Sequence, residues 1–166
     1  MLFKKLCCCI SNGIQSSDIF LPDKEGIPLS AIEIVEIIKK NLKMDYSNIH
    51  LLDEKYFAIP LKSLQKFMKY DFTNFSQYKK EIFDCDDFSL VFAGAQHHWF
   101  SRLNINRAST VGIVIGDIRT SELSTKERFH AANFFITNTK ELLIVEPMND
   151  KVYKPTSNST FAFVLL

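Results

Sequence analysis

One cysteine, one histidine and one glutamate stand where a thiol can be turned into a nucleophile. Cys85 falls in the first turn of the segment from Asp84 to Phe100, with Asp84 as a plausible N-cap. A helix N-terminus presents free N–H groups and a partial positive charge, and both favour thiolate over thiol. His130 stands near the start of FHAANFFIT and Glu146 near the end of ELLIVEP, two β-prone runs separated by the turn residues Asn138 and Thr139. If the turn is Thr137 to Thr139, or Asn138 to Lys140, His130 lies opposite or diagonal to Glu146 on one sheet face. Such positions are roughly 5 to 8 Å apart at the backbone. A two-residue turn instead puts the two side chains on opposite faces, and the pairing fails.

The chemistry this arrangement serves is nucleophilic. A thiol with its ordinary pKa of about 8.5 is mostly protonated at neutral pH, so an adjacent imidazole must hold the proton and later deliver it. A carboxylate behind the imidazole fixes its tautomer and supports its positive charge. The alternative for Cys85 is a small buried core residue, and for His130 a structural place in a strand. A zinc site built on Cys85, His130 and nearby acids is a further alternative, although zinc favours more Cys or His at close spacing.

Asp84, Asp86 and Asp87 crowd the cysteine, and negative charges so placed oppose thiolate formation. Either they bind a hard cation such as Ca²⁺, or they cap the helix and face solvent. The Cys85 backbone N–H is one donor for an oxyanion, with Gln77 as candidate for the second or else a surface residue. His97 and His98 share the helix with Cys85 but stand roughly 18 Å along it, which makes them surface or packing residues. Asn133 points away from the His130 face of its strand and is not the third member.

The elements that must position these residues are legible from periodicity and punctuation. Ser30 and Glu33 form a capping box, Ile34, Val35, Ile38 and Leu42 follow at helical spacing, and the helix stops near Lys43. Tyr56 to Ile59 reads as a strand, Pro60 opens a helix through LKSLQKFMKYD, and NFSQYKKEI adds a further turn or two. From Asp84 to Phe100, Cys85, Phe88, Phe92, Ala95 and Trp99 line one helical face. After Arg107 the runs STVGIVIGDI, FHAANFFIT, ELLIVEP, KVYKP and TFAFVLL read as strands. Helices first and strands second predict an α+β fold, with N-terminal helices packed on an antiparallel β-sheet. Residues 1–28 read as an irregular tail and 29–166 as one domain.

Composition narrows the functional classes. In 166 residues, 46% apolar content and fifteen Phe supply a core, and a formal charge of +1 gives no basic field for nucleic acid. Cys7, Cys8 and Cys9 lack the spacing of a disulfide framework or a zinc site, so a reduced, cytoplasmic chain is expected. With Lys4 and Lys5 beside them, these cysteines suit S-acylation and membrane association, or else an ordinary disordered tail.

The Cys, His, acid order and the HAAN…LLIVEP stretch resemble the papain-like and transglutaminase-like peptidases. Within that group the segment from Phe83 to Pro147 is most similar to the C-terminal cysteine protease domain of mushroom agglutinins. The resemblance implies a papain/transglutaminase-like domain over 29–166 and a Cys85–His130–Glu146 triad. It also implies calcium dependence, and a thiol-dependent hydrolase acting on peptide or protein substrates through an acyl-enzyme. The alternatives are transamidation or deamidation on the same fold, or an inactive module used for interaction, including homodimerisation. No lectin-like repeat precedes the matching segment, so the resemblance carries no expectation of carbohydrate binding.

Overall fold

A computed structural model describes residues 25–119 and 129–166. Cys7, Cys8 and Cys9, with most of the expected tail, lie outside the described residues. β1 (Ile27–Ser30) leads directly into α1 (Ala31–Leu42). The expected capping box is made: the Ser30 hydroxyl accepts the Glu33 N–H at 3.3 Å, and Glu33 Oε2 accepts the Ser30 N–H at 2.9 Å. The helix ends where Lys43 turns left-handed at φ 53°. β1 starts inside the stretch expected to be irregular. Ile27 and Pro28 pair with Ala58 and Phe57 of β3 (Lys55–Ala58). Pro28 is tolerated because β1 is an edge strand of the three-stranded sheet β1-β3-β4.

α2 (Leu61–Met68) follows Pro60, but the expected helical continuation through NFSQYKKEI is not made. The segment forms a single 3-10 turn, Thr73–Phe75, and a bridge between Lys79 and Phe83. The Asp71 carboxylate accepts both the Thr73 N–H at 3.2 Å and the Thr73 hydroxyl at 3.0 Å. Such local side-chain bonds give the backbone an alternative to the helix. α3 (Cys85–Phe100) is the longest helix, with Phe88, Phe92 and Trp99 buried along one face as the spacing predicts.

β2 (Ile49–His50), β4 (Ala108–Ser109), β5 (Val111–Asp117), β6 (His130–Ile136), β7 (Leu142–Glu146), β8 (Lys151–Tyr153) and β9 (Thr160–Leu165) complete the chain. A six-stranded sheet runs β2-β9-β5-β6-β7-β8, antiparallel except where β2 joins β9. The fold is mixed α+β, and its sheet is covered on both faces. Ile34 and Ile38 of α1 pack with Val114, Phe134 and Ile144, while Leu64, Phe67, Phe92 and Trp99 pack with Val111, Phe135 and Val145. Phe134 and Phe135 are neighbours in β6 and serve opposite cores, because successive strand side chains alternate.

The β6–β7 turn fixes the register that matters most. The Thr137 N–H donates to the Glu141 carbonyl at 2.9 Å, closing a three-residue turn, Asn138 to Lys140, with Lys140 left-handed at φ 62°. Asn133 then stands opposite Val145. One step further, Glu146 comes beside Ala132 and diagonal to His130 on the same face. Among the described residues, no helix is long and apolar enough to cross a membrane.

Candidate functional site

Asp84 caps α3 and puts Cys85 in its first position. Asp87 Oδ2 accepts the Asp84 N–H at 3.1 Å, and Asp84 Oδ2 accepts the Glu81 N–H at 3.0 Å, which pins the entry to the helix. Cys85 is a free, half-buried thiol. His130 is the first residue of β6, at the end of the sheet, where the tip of a packed helix can meet it.

The imidazole joins the other two groups. Nε2 lies 2.6 Å from Glu146 Oε2, with the side chains only 12% and 4% exposed. Glu146 Oε1 accepts the Met148 N–H at 3.2 Å, so both carboxylate oxygens are held. The Cys85 side chain also acts on the ring, as a cause of its shifted pKa. Burial opposes charge on His130, but the hydrogen bonds to Cys85 and Glu146 and their negative charges outweigh it. Together they raise the imidazole pKa from 6.5 to about 10. The geometry places a thiol, an imidazole and a buried carboxylate together.

The hydrogen bond between the Asp84 and Asp86 side chains lowers the Asp84 pKa and raises that of Asp86, and Asp87 is engaged in the helix cap. Ligand atoms of Asp84, Cys85 and Asp86 lie within 4.8 Å of one another. Gln77 is exposed on the loop after the 3-10 turn, and no interaction among the described residues ties it to Cys85. His97 packs as expected, its Nε2 at 2.8 Å from the Val111 carbonyl. Asn133, the last residue of HAAN, faces α3, as strand alternation implies.

An agglutinin C-terminal family model matches residues 56–152, more than half of the chain. No curated protein matches by sequence. Among solved structures, a PSL1a–E64 complex is similar with a TM-score of 0.70 and 20% identity over 84% of this chain and 51% of that one. The lectin of Polyporus squamosus, bound to the human-type influenza-binding epitope Neu5Acα2-6Galβ1-4GlcNAc, gives a TM-score of 0.68 and 20% identity. That match covers 84% of this chain and 49% of the lectin. The chain spans about half the length of these structures, and at this identity the likeness is one of fold.

These findings correct the functional expectation. The family carries an agglutinin name and one similar structure is a lectin with a glycan bound, and none is named a peptidase. The thiol-dependent hydrolase of peptide bonds is withdrawn, with its enzyme class and its thiol-protease, papain-like and transglutaminase-like descriptors. The inactive papain-like interaction module and the transamidase or deamidase are withdrawn with it. The physical reason is that a Cys–His–Glu geometry defines a nucleophile and a proton store, not the bond they act on.

Because its pKa is raised, His130 stabilises the fold fully below its unfolded value near 6.5, and this contribution is lost as pH rises through about 10. Proton NMR of the ring should show a midpoint near 10, moving toward 6.5 in Glu146→Gln. A wild-type midpoint at 6.5 would rule out the charged pair.

Proposed function

Because this chain belongs to the agglutinin C-terminal family, we propose that it is a ligand-binding domain centred on a nucleophilic thiolate. Cys85 is the nucleophile, His130 the proton store and Glu146 the orienting acid. The buried 2.6 Å His130–Glu146 contact, with Cys85 acting on the same ring, carries this reading. The sulfur bonds to an electrophilic carbon of the ligand, the carbon–oxygen bond breaks, and the imidazolium gives its proton to the departing oxygen. A structure of similar fold, PSL1a, is a complex with E64. A papain- or transglutaminase-like architecture is the finer fold reading. It is supported by a helix-tip cysteine abutting an antiparallel sheet that carries the histidine and the acid. The homodimer, and a cytoplasmic chain held at membranes by acylated Cys7, Cys8 and Cys9, remain part of the proposal.

Iodoacetamide labelling, mapped to Cys85 by mass, tests the nucleophile. At pH 7 the native chain should react roughly tenfold or more faster than the urea-unfolded chain, since an ordinary thiol is only a few per cent ionised there. Glu146→Gln should lower the native rate roughly tenfold. Equal native and unfolded rates would end the proposal.

Calcium belongs to the same proposal in a reduced form. Asp84 and Asp86 would hold it, since calcium takes oxygen ligands and the thiol is too soft. It would supply positive charge beside the sulfur. On this reading a chelator slows Cys85 labelling at pH 7 and added Ca²⁺ restores it; indifference to both removes calcium from the site.

Glycan binding is the second reading, favoured by the trisaccharide on the Polyporus squamosus lectin. Titration calorimetry of Neu5Acα2-6Galβ1-4GlcNAc into the full chain should give saturable heat if this half of the fold holds glycan. Absence of heat at millimolar sugar would reject it for that epitope.

A further inference from the structure

On the thiolate reading, the reactive geometry depends on where the tip of α3 stands over β6, and one buried side chain links the two. Asn133 is fully buried, three residues along β6 from His130. Its Nδ2 donates to the Ser89 carbonyl of α3 at 3.0 Å and to the Gly112 carbonyl of β5 at 3.1 Å. Ser89 lies about one helical turn after Cys85, and its hydroxyl donates to the Cys85 carbonyl at 2.8 Å. An unbroken path therefore runs from the backbone of Cys85 through Ser89 to the strand that carries His130, with a cross-tie to β5.

The amide cannot be turned over, because two carbonyl oxygens face Nδ2 and would then meet Oδ1. Oδ1 itself is buried with no hydrogen-bond partner. A buried amide with an unpaired oxygen stabilises a core less than an apolar side chain of the same size. What Asn133 adds that an apolar side chain could not is the placement of its two donors. We infer that Asn133 is a positioning residue, setting the Cys85–His130 separation by tying the start of α3 to β5 and β6. The inference rests on the reactive-thiolate reading, and displacement of a reacting group by about 1 Å is enough to cost up to about a hundredfold in rate.

The test uses the full chain with Asn133→Leu, which keeps the volume and removes the donors, and Ser89→Ala, which removes the hydroxyl bond to Cys85. Phe135→Leu, on the same face of β6, serves as the stability control. Melting temperature and the pH profile of Cys85 labelling by iodoacetamide are measured for each. Asn133→Leu should lose about tenfold or more in rate at pH 7 and take the profile of an ordinary thiol. Ser89→Ala should lose about threefold in the same direction. Phe135→Leu should melt earlier with an unmoved profile. If Asn133→Leu does not fold, Ser89→Ala decides alone. Wild-type profiles in the folded variants would overturn the inference while leaving the thiolate reading intact. A wild-type chain no more reactive than its unfolded form would instead overturn the thiolate reading, and the inference with it.

Discussion

A buried carboxylate sets the terms for this site. Glu146 is 3% exposed, and an ionised acid taken from water without a partner is costly enough that the structure must supply a positive charge or a proton. It supplies the His130 imidazole and one backbone N–H from Met148. That requirement reaches back to the hairpin. Shift β7 by one residue, and Glu146 rotates into the core now filled by Val145, Phe135 and Trp99, while Val145 takes its place beside His130. The left-handed Lys140 and the Thr137–Glu141 closure hold the register that avoids this. The turn therefore acts on the chemistry although it lies at the far end of β6 from His130.

The proposed thiolate would draw on the helix N-terminus and the imidazolium against Asp84, Asp86 and Asp87. Asp87 Oδ2 is directed at the Asp84 backbone N–H, and the hydrogen bond between Asp84 and Asp86 lowers the pKa of the first and raises that of the second.

Much of this was legible in the chain, and the parts that were not share a physical cause. Ser30 and Glu33, the apolar stripe from Phe88 to Trp99 and the alternation of HAANFFI are local signals, and the elements they predict form. The diagonal of His130 and Glu146 followed from turn length alone. The segment after Met68 misled, because its composition allows a helix while the Asp71–Thr73 bonds favour a turn. Ile27 and Pro28 became a strand only because β3, distant in sequence, offers them a partner. Asn133 was discounted for facing away from His130, and strand alternation was right about that. What alternation does not reveal is which helix carbonyl waits on the other side. The ligand was least legible of all, because the arrangement of Cys85, His130 and Glu146 says nothing of the bond or molecule it meets, on which the family and fold comparisons bear.

The ion pair also bears on why the site exists. A buried salt bridge is an inefficient way to hold a hairpin, since a well-packed apolar pair of similar volume is commonly as stabilising or more so. β6 and β7 already bury Phe134, Phe135, Ile144 and Val145 between two cores and need no such help. The unpaired oxygen of Asn133 is a second departure from the most stable choice, close by and on the same strand. One of these polar groups braces the imidazole and the other joins the helix that carries Cys85 to the sheet, so both lie in the part of the fold that holds Cys85, His130 and Glu146 together.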